Sequence, residues 1–146
     1  MKNIKKINEL NIPKKHQNFI IEFLKQARDI KTFDKIEMFI LFGSCAREEA
    51  KLNSDIDIMV IGKNIGDESL FELYDCTWQP DIEETNGLIN SDVLVNDIDF
   101  FNTNKKVAGS LQWRIAKDGV ILNGLLQTNR KYIPTNFWAS GKCFNV

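Results

Sequence analysis

Two carboxylates, Asp55 and Asp57, stand two residues apart at the start of an apolar run that continues to Val60. The run predicts a β-strand, on which side chains alternate between faces, so both carboxylates point the same way. Like charges at this separation resist ionising unless a cation lies nearby, and Mg²⁺ prefers oxygen ligands. The pair therefore predicts a divalent-metal site, and the plainer alternative is a solvated strand edge.

A second chemical feature lies upstream, where Gly43 and Ser44 follow the apolar run that ends at Phe42. Glycine allows the backbone to approach a ligand closely, and the N–H groups at a following helix start favour an anion. Arg47, one turn further, either holds a phosphate or pairs with a neighbouring glutamate. A phosphate site and a metal site together predict a nucleoside triphosphate with its Mg²⁺, although a plain turn is the simpler interpretation.

A third acid is expected on a neighbouring strand, facing the same way as the first two. Asp92 lies in the apolar stretch 88–95 and is the best-placed candidate, but Asp97 and Asp99 compete with it. The spacing of residue types alone leaves this choice open.

Helices and strands must position these residues. Apolar periodicity predicts helices over 14–30, 44–51 and 105–117, strands over 35–42, 54–61, 88–95 and 120–122, and a turn or short helix over 96–104. A helix is expected to start at 67–69 and to be interrupted by Pro80, and 81–86 is expected to form a loop or a second short turn. His16, near the start of the first helix, is expected at the surface. Residues expected to face inward are Ile20, Phe23, Leu24, Ala27, Ile30, Leu70, Phe71, Leu73, Tyr74, Val107, Ala108, Leu111 and Ile115.

The stretch from Leu41 to Ala50, LFGSCAREEA, followed by SDIDI at 54–58, resembles the signature of the minimal nucleotidyltransferases, which belong to the polymerase-β-like nucleotidyltransferase superfamily. The general layout is similar over about residues 15–123. Cys45 stands where a basic residue is frequent in that family, and Glu48 where glycine is frequent. The resemblance implies an α+β fold with a mixed β-sheet flanked by helices, and we assign the nucleotidyltransferase domain to 1–123. Its N-terminal segment at 1–13 is rich in lysine and is expected to be a loose lead-in.

The same resemblance implies an activity and its residues. By similarity to the family pattern, Asp55, Asp57 and Asp92 would bind two Mg²⁺ ions, and Gly43, Ser44 and Arg47 would bind the nucleotide. The reaction would transfer a nucleoside monophosphate, AMP from ATP by family default, to a hydroxyl by a two-metal mechanism.

The acceptor stays open between three hypotheses. The small size favours an antitoxin of a two-gene pair, in which a minimal nucleotidyltransferase modifies a small helical HEPN-type ribonuclease toxin. The alternatives are a small-molecule, aminoglycoside-type nucleotidyltransferase, and a non-catalytic module that binds a nucleotide or a partner.

Composition sets the remaining expectations. A chain of 146 residues with a net charge of −1 predicts one domain without general electrostatic binding to nucleic acid. Three widely spaced cysteines, Cys45, Cys76 and Cys143, predict a reducing cytoplasm, and neither a secretory signal nor a membrane-spanning run is expected. The aromatic tail at 124–146 is expected either to pack back on the domain or to contact a partner.

Overall fold

A computed structural model of the protein describes residues 1–4 and 6–122. Its strands are β1 (Lys2–Asn3), β2 (Ile36–Phe42), β3 (Ile56–Gly62), β4 (Ser91–Asp97) and β5 (Val120–Ile121). They form one sheet in the order β1-β5-β2-β3-β4. β1 runs parallel to β5 and β3 parallel to β4, whereas β2 is antiparallel to both of its neighbours. The predicted α+β class with a mixed sheet is confirmed.

Six α-helices connect the strands in the described part of the chain. They are α1 (Lys14–Ala27), α2 (Gly43–Ala46), α3 (Asp67–Asp75), α4 (Pro80–Asn86), α5 (Ile98–Asn104) and α6 (Leu111–Asp118), and two short 3₁₀ helices lie at Ile7–Glu9 and Phe33–Lys35. Side-chain caps define two of the starts: Asp97 accepts from the N–H of Asp99 and Ser110 from that of Trp113, both at 3.0 Å. None of the helices in the described ranges is long and apolar enough to span a bilayer.

Helices cover both faces of the sheet, which explains why β2 and β3 are apolar almost throughout. Alternate residues of the two strands enter two cores. The core on the α1 side contains Phe19, Ile20, Phe23, Leu24, Phe39, Leu41, Ile58, Val60 and Leu73. The core on the α5–α6 side contains Met38, Ile40, Met59, Ile61, Phe101, Ile115 and Ala116.

The N-terminal segment is not the loose lead-in that its lysines predicted. β1 adds an edge strand to the sheet, and Ile4 and Leu10 are buried at 1% exposure each. Gln17 of α1 donates a hydrogen bond to the carbonyl of Leu10 at 3.1 Å, which ties the segment to the first helix. Apolar residues scattered between charged ones supply the contacts, without the periodicity that would have revealed them.

Two predicted helices are shorter in the structure, each because of a residue with positive φ. α2 was expected to reach residue 51 but ends at Ala46, two residues before Glu48 at φ 58°. The helix expected over 105–117 begins only at Leu111, after Gly109 at φ 86°. As a result Val107, Ala108 and Leu111 are exposed instead of facing inward, whereas Ile115 is buried as predicted.

The inward face of α3 also differs from the prediction. Leu73 is fully buried, but Phe71 and Tyr74 remain 69% and 45% exposed. The sequence of α3 is apolar at four of five consecutive positions, 70–74, so periodicity alone did not indicate which side packs on the sheet. The predicted tail at 124–146 lies outside the described residues.

Candidate active site

Adjacent strands bring two of the predicted carboxylates side by side. Asp57 of β3 and Asp92 of β4 are direct register partners in the parallel pair. Partnered residues share a face of the sheet, and neighbouring strands lie about 4.8 Å apart. Asp55 lies two residues before Asp57, immediately ahead of β3. All three acids therefore lie at the end of the sheet where β3 and β4 begin.

The competing acids lie at the other end of β4. Asp97 is the register partner of Gly62, and its carboxylate accepts the N–H groups of Asn64 at 3.1 Å and Asp99 at 3.0 Å. Asp97 thus caps α5, and Asp99 lies in the first turn of that helix. Neither lies beside Asp57, so the geometry favours Asp92 as the third acid.

Asp57 is the acid of the site whose pKa is shifted. Its side chain is half-buried, whereas Asp55 and Asp92 are exposed. Burial raises the pKa of Asp57 above its ordinary value, and the negative charges of Asp92 and Asp55 raise it further, while Arg47 acts in the opposite direction. The site as built therefore has an excess of negative charge, centred on Asp57.

The glycine turn lies directly against this carboxylate. Gly43 has φ 71° and follows Phe42, the register partner of Asp57 across the antiparallel pair. A Cβ atom on residue 43 would lie closer than 3.0 Å to Oδ2 of Asp57. Both the backbone conformation and the close approach require glycine here. The next residue, Ser44, is half-buried at the start of α2.

Arg47 takes part in an ion pair with a neighbouring acid. Its Nε donates to Oε2 of Glu49 at 2.9 Å, and both side chains are exposed. This is the pairing that the sequence left as the alternative to a phosphate contact. Arg47 is nevertheless close enough to lower the pKa of Asp57. Its predicted contact with a nucleotide phosphate stays a prediction.

Glu48 occupies a backbone conformation that favours glycine, the residue frequent at this position in the family that the sequence resembles. Its carboxylate turns toward the N-terminal segment, where it accepts the N–H of Asn11 at 2.8 Å and lies 3.6 Å from Nζ of Lys2. The Asn11 hydrogen bond is the main reason that the pKa of Glu48 is lowered. The negative charge of Glu48 is thus partly compensated by its contacts with Asn11 and Lys2 in the N-terminal segment.

Two buried side chains hold the chain just ahead of β3. His16 is fully buried, so its predicted surface position is wrong, and its Nε2 donates to the carbonyl of Ser54 at 2.8 Å. The thiol of Cys45 donates to the carbonyl of Asp55 at 3.5 Å. Consecutive carbonyls are therefore held from α1 and α2, and this fixes the backbone from which the carboxylate of Asp55 projects.

Sequence reasoning missed both of these contacts. The signal for His16 was its spacing, because it stands four residues before Ile20 and seven before Phe23, on the apolar stripe of α1. For Cys45, burial raises the pKa to about 11, and the charges of Asp57 and Asp55 add to this effect. Its thiol is therefore protonated at neutral pH and acts as a hydrogen-bond donor, not as a nucleophile or metal ligand.

The donor chemistry of the three acids fits a hard divalent cation, because all of their ligating atoms are carboxylate oxygens. Across residues 1–4 and 6–122, however, no three side chains of His, Cys, Asp or Glu are gathered into a metal-binding group. A bound cation would counteract the negative charges of Asp92 and Asp55, which add to the effect of burial on the pKa of Asp57, so the chemistry of these residues fits a divalent metal.

Comparison with known proteins identifies the family. The sequence model described as "Polymerase beta, Nucleotidyltransferase" matches residues 18–124, a span that includes Gly43, Asp55, Asp57 and Asp92. The chain belongs to this nucleotidyltransferase family. A crystal structure of a proposed nucleotidyltransferase from Sulfolobus solfataricus aligns with 75% of this chain and 86% of its own, at 23% identity and a TM-score of 0.39. No curated protein is significantly similar to the chain.

Proposed function

We propose that the protein transfers a nucleoside monophosphate, AMP from ATP, to a hydroxyl group on a partner protein. The observation that carries this proposal is the register pair of Asp57 and Asp92, with the turn at Gly43 against the Asp57 carboxylate. In this proposal, the end of the sheet that would bind the metal lies next to a backbone turn that a triphosphate could approach.

Each residue of the site has a part in this proposal. Gly43 and Ser44 would receive the triphosphate. Arg47 would leave its exposed partner Glu49 and bind a phosphate oxygen, because the planar guanidinium group can donate two hydrogen bonds to a phosphate. Asp55, Asp57 and Asp92 would hold the Mg²⁺ ions, which neutralise charge on the triphosphate and on the departing pyrophosphate. His16 and Cys45 keep the Asp55 backbone in place, so little reorganisation is needed when the nucleotide binds.

The proposed reaction is a single displacement at the α-phosphorus. The acceptor oxygen forms a bond to this phosphorus, and the bond between phosphorus and the pyrophosphate oxygen breaks. The proton of the acceptor hydroxyl passes to Asp92, whose exposed carboxylate can release it to water.

The partner that we propose is a small helical HEPN-type toxin, which the modification would restrain, so that this protein acts as its antitoxin. We place the pair in the cytoplasm. The free, buried thiols of Cys45 and Cys76 support a reducing compartment.

The test is transfer from ATP labelled on its α-phosphate, with Mg²⁺ and the purified protein encoded by the adjacent gene. Wild type should label that protein, and Asp55→Ala/Asp57→Ala should lose the label. Asp92→Asn should reduce the rate at least about a hundredfold, since transition-state charge stabilisation of this kind is worth that much.

Asp99→Asn is the matched control, because Asp99 is an exposed acid away from Asp57, and its rate should equal that of wild type. Label on a small hydroxylated compound instead of the protein would favour the aminoglycoside-type alternative. No label, with wild type and Asp55→Ala/Asp57→Ala binding ATP and Mg²⁺ equally poorly, would refute catalysis and favour a binding module.

A further inference from the structure

One side of α3 presents aromatic side chains to solvent. Phe71, Tyr74 and Trp78 are 69%, 45% and 75% exposed. Phe71 and Tyr74 lie one helical turn apart on α3, and Trp78 follows in the turn after the helix, so the three form a stripe of exposed aromatic residues within one short segment. Exposed aromatic residues scattered singly are ordinary on a protein surface, but several within one short segment indicate an interaction site.

Contacts on the buried side of α3 fix the orientation of this stripe. Glu72 accepts the backbone N–H groups of Lys31 at 2.6 Å and Thr32 at 3.3 Å, and the Thr32 hydroxyl at 2.8 Å. Ser69 donates to Oγ1 of Thr32 at 2.7 Å, and Leu73 is fully buried. These contacts prevent α3 from rotating to bury its aromatic residues. The stripe is thus preorganised for binding, which reduces the entropy lost on association.

The turn after α3 is held in the same way. Gln79 is buried, and its Nε2 donates to the carbonyls of Phe19 at 3.1 Å and Cys76 at 3.2 Å. The neighbouring Trp78 therefore projects from an anchored turn.

The sequence segment that contains the stripe carries charge of one sign. Between Lys63 and Lys105 the sequence contains no Lys or Arg, although it contains half of the 20 Asp and Glu residues of the chain. On α3 itself Asp67, Glu68 and Asp75 are exposed. Such a surface repels the phosphates of nucleic acid and attracts a basic protein. It also disfavours a symmetric contact with a second copy through the same face, because acids would meet acids.

We propose that the α3 face, defined by Phe71, Tyr74, Trp78, Glu68 and Asp75, docks a basic surface of the protein that accepts the nucleotide. This inference rests on the proposed function, because it takes the transfer partner as the occupant. The aromatic residues would supply the buried centre of the interface, where Trp and Tyr concentrate binding energy, and the acids would supply its rim. α3 packs on the α1 side of the sheet, whereas Asp57 lies on the strand face of Met59 and Ile61, so docking leaves the nucleotide site free.

The test measures the dissociation constant of the full chain for the purified product of the adjacent gene, by calorimetry at two salt concentrations. Phe71→Ser/Trp78→Ser should raise the constant at least about thirtyfold, as loss of hot-spot aromatics does. Glu68→Lys/Asp75→Lys should raise it and remove most of its salt dependence. Phe100→Ser is the matched control: Phe100 is 53% exposed on α5, at the opposite face of the sheet, and binding should stay within about twofold of wild type.

Three results separate the outcomes. Equal binding by wild type and Phe71→Ser/Trp78→Ser, or no binding by wild type, would overturn the proposal. Asp57→Asn should bind the partner like wild type, so loss of transfer with intact docking would refute the proposed activity and leave the α3 face standing. The substitutions on the α3 face and at Phe100 are at exposed positions, and wild-type melting temperatures for these variants would show that altered binding does not reflect unfolding.

Discussion

Replacing Asp57 by Asn is expected to stabilise the protein when divalent cations are removed. Asp57 is half-buried and shares its face with Asp92 and Asp55, and its pKa is raised by burial first and by these two charges second. An amide has nearly the same shape without the charge. The substitution should therefore relieve an unfavourable interaction between charged carboxylates.

The size of this effect follows from the strand register. Asp57 and Asp92 are partners on adjacent strands, so their charges lie about 5 Å apart. Two unit charges at that distance repel by about 3 kcal/mol at an effective dielectric constant of about 20 and by about 0.8 kcal/mol in water. Because Asp92 is exposed, the lower value is closer, and the expected gain is about 1 kcal/mol. This corresponds to a rise of about 2–4 °C in melting temperature.

The gain should depend on pH with a definite sign. Folding raises the pKa of Asp57, so the folded state penalises its ionised form. The penalty is absent below the pKa of the unfolded chain, about 3.9. It grows as the pH rises and is complete above the pKa of the folded state. Wild type and Asp57→Asn should therefore differ at pH 7 and converge in acid.

The assay is thermal or urea unfolding of both proteins in a chelator, repeated from neutral to acidic pH. Asp97→Asn is the control, because Asp97 caps α5 and accepts two backbone N–H groups, so its replacement should bring no gain. Asp57→Asn melting clearly below wild type at pH 7 would refute the reasoning. A difference that persisted in acid would show that its origin is not the charge of Asp57.

Three further predictions concern the frame of the site. Gly43→Ala should lower the free energy of unfolding by about 1–3 kcal/mol, because residue 43 has a left-handed backbone and its new Cβ would collide with Asp57. Part of this loss should disappear in the Asp57→Ala background, and strictly additive effects in a double-mutant cycle measured in urea would contradict the prediction. The free energy of unfolding of Glu48→Gly should exceed that of Glu48→Ala by about 0.5–1 kcal/mol, because both variants lose the carboxylate but glycine tolerates φ 58° better than alanine. Equal melting temperatures of the two variants would contradict this prediction. His16→Leu should lower the free energy of unfolding by about 1–3 kcal/mol and speed hydrogen exchange at the backbone amide of Asp57, and His16→Gln should partly restore both. Unchanged exchange would argue that the hydrogen bond to Ser54 does not position the site.

The centre of the site could be predicted from sequence because its geometry is local. β2, the turn at Gly43 and β3 follow one another, and the alternation of side chains on a strand suffices to aim Asp55 and Asp57 together. Which of Asp92 and Asp97 lies beside Asp57 depends on one further fact, the register of β3 against β4. Register depends on contacts between segments distant in sequence, so it became visible only in the structure.

Features that depend on packing from two sides could not be predicted in the same way. His16 looked like a surface residue because nothing near it in the sequence shows that the carbonyl of Ser54 needs a donor. Phe71 and Tyr74 have the residue types of a core, and only the hydrogen bonds of Glu72 to Lys31 and Thr32 determine which way α3 turns. The end of α2 could not be predicted from Glu48, because glutamate is not a residue type that indicates a positive φ.

The pairing of β1 with β5 has a consequence for the way in which the sheet is completed and reopened. The N–H of Lys2 donates to the carbonyl of Gly119 at 3.0 Å, so the first strand pairs with residues made near the end of the described chain. Such a distant contact forms late in folding, and a two-residue strand is among the first to open. When β1 leaves, β5 becomes the edge of the sheet and its unpaired backbone groups can accept a strand from another chain. Three contacts, the ion pair of Lys2 with Glu48, the hydrogen bond of Gln17 to Leu10 and the burial of Ile4, thus hold β1 in place and keep the backbone of β5 paired.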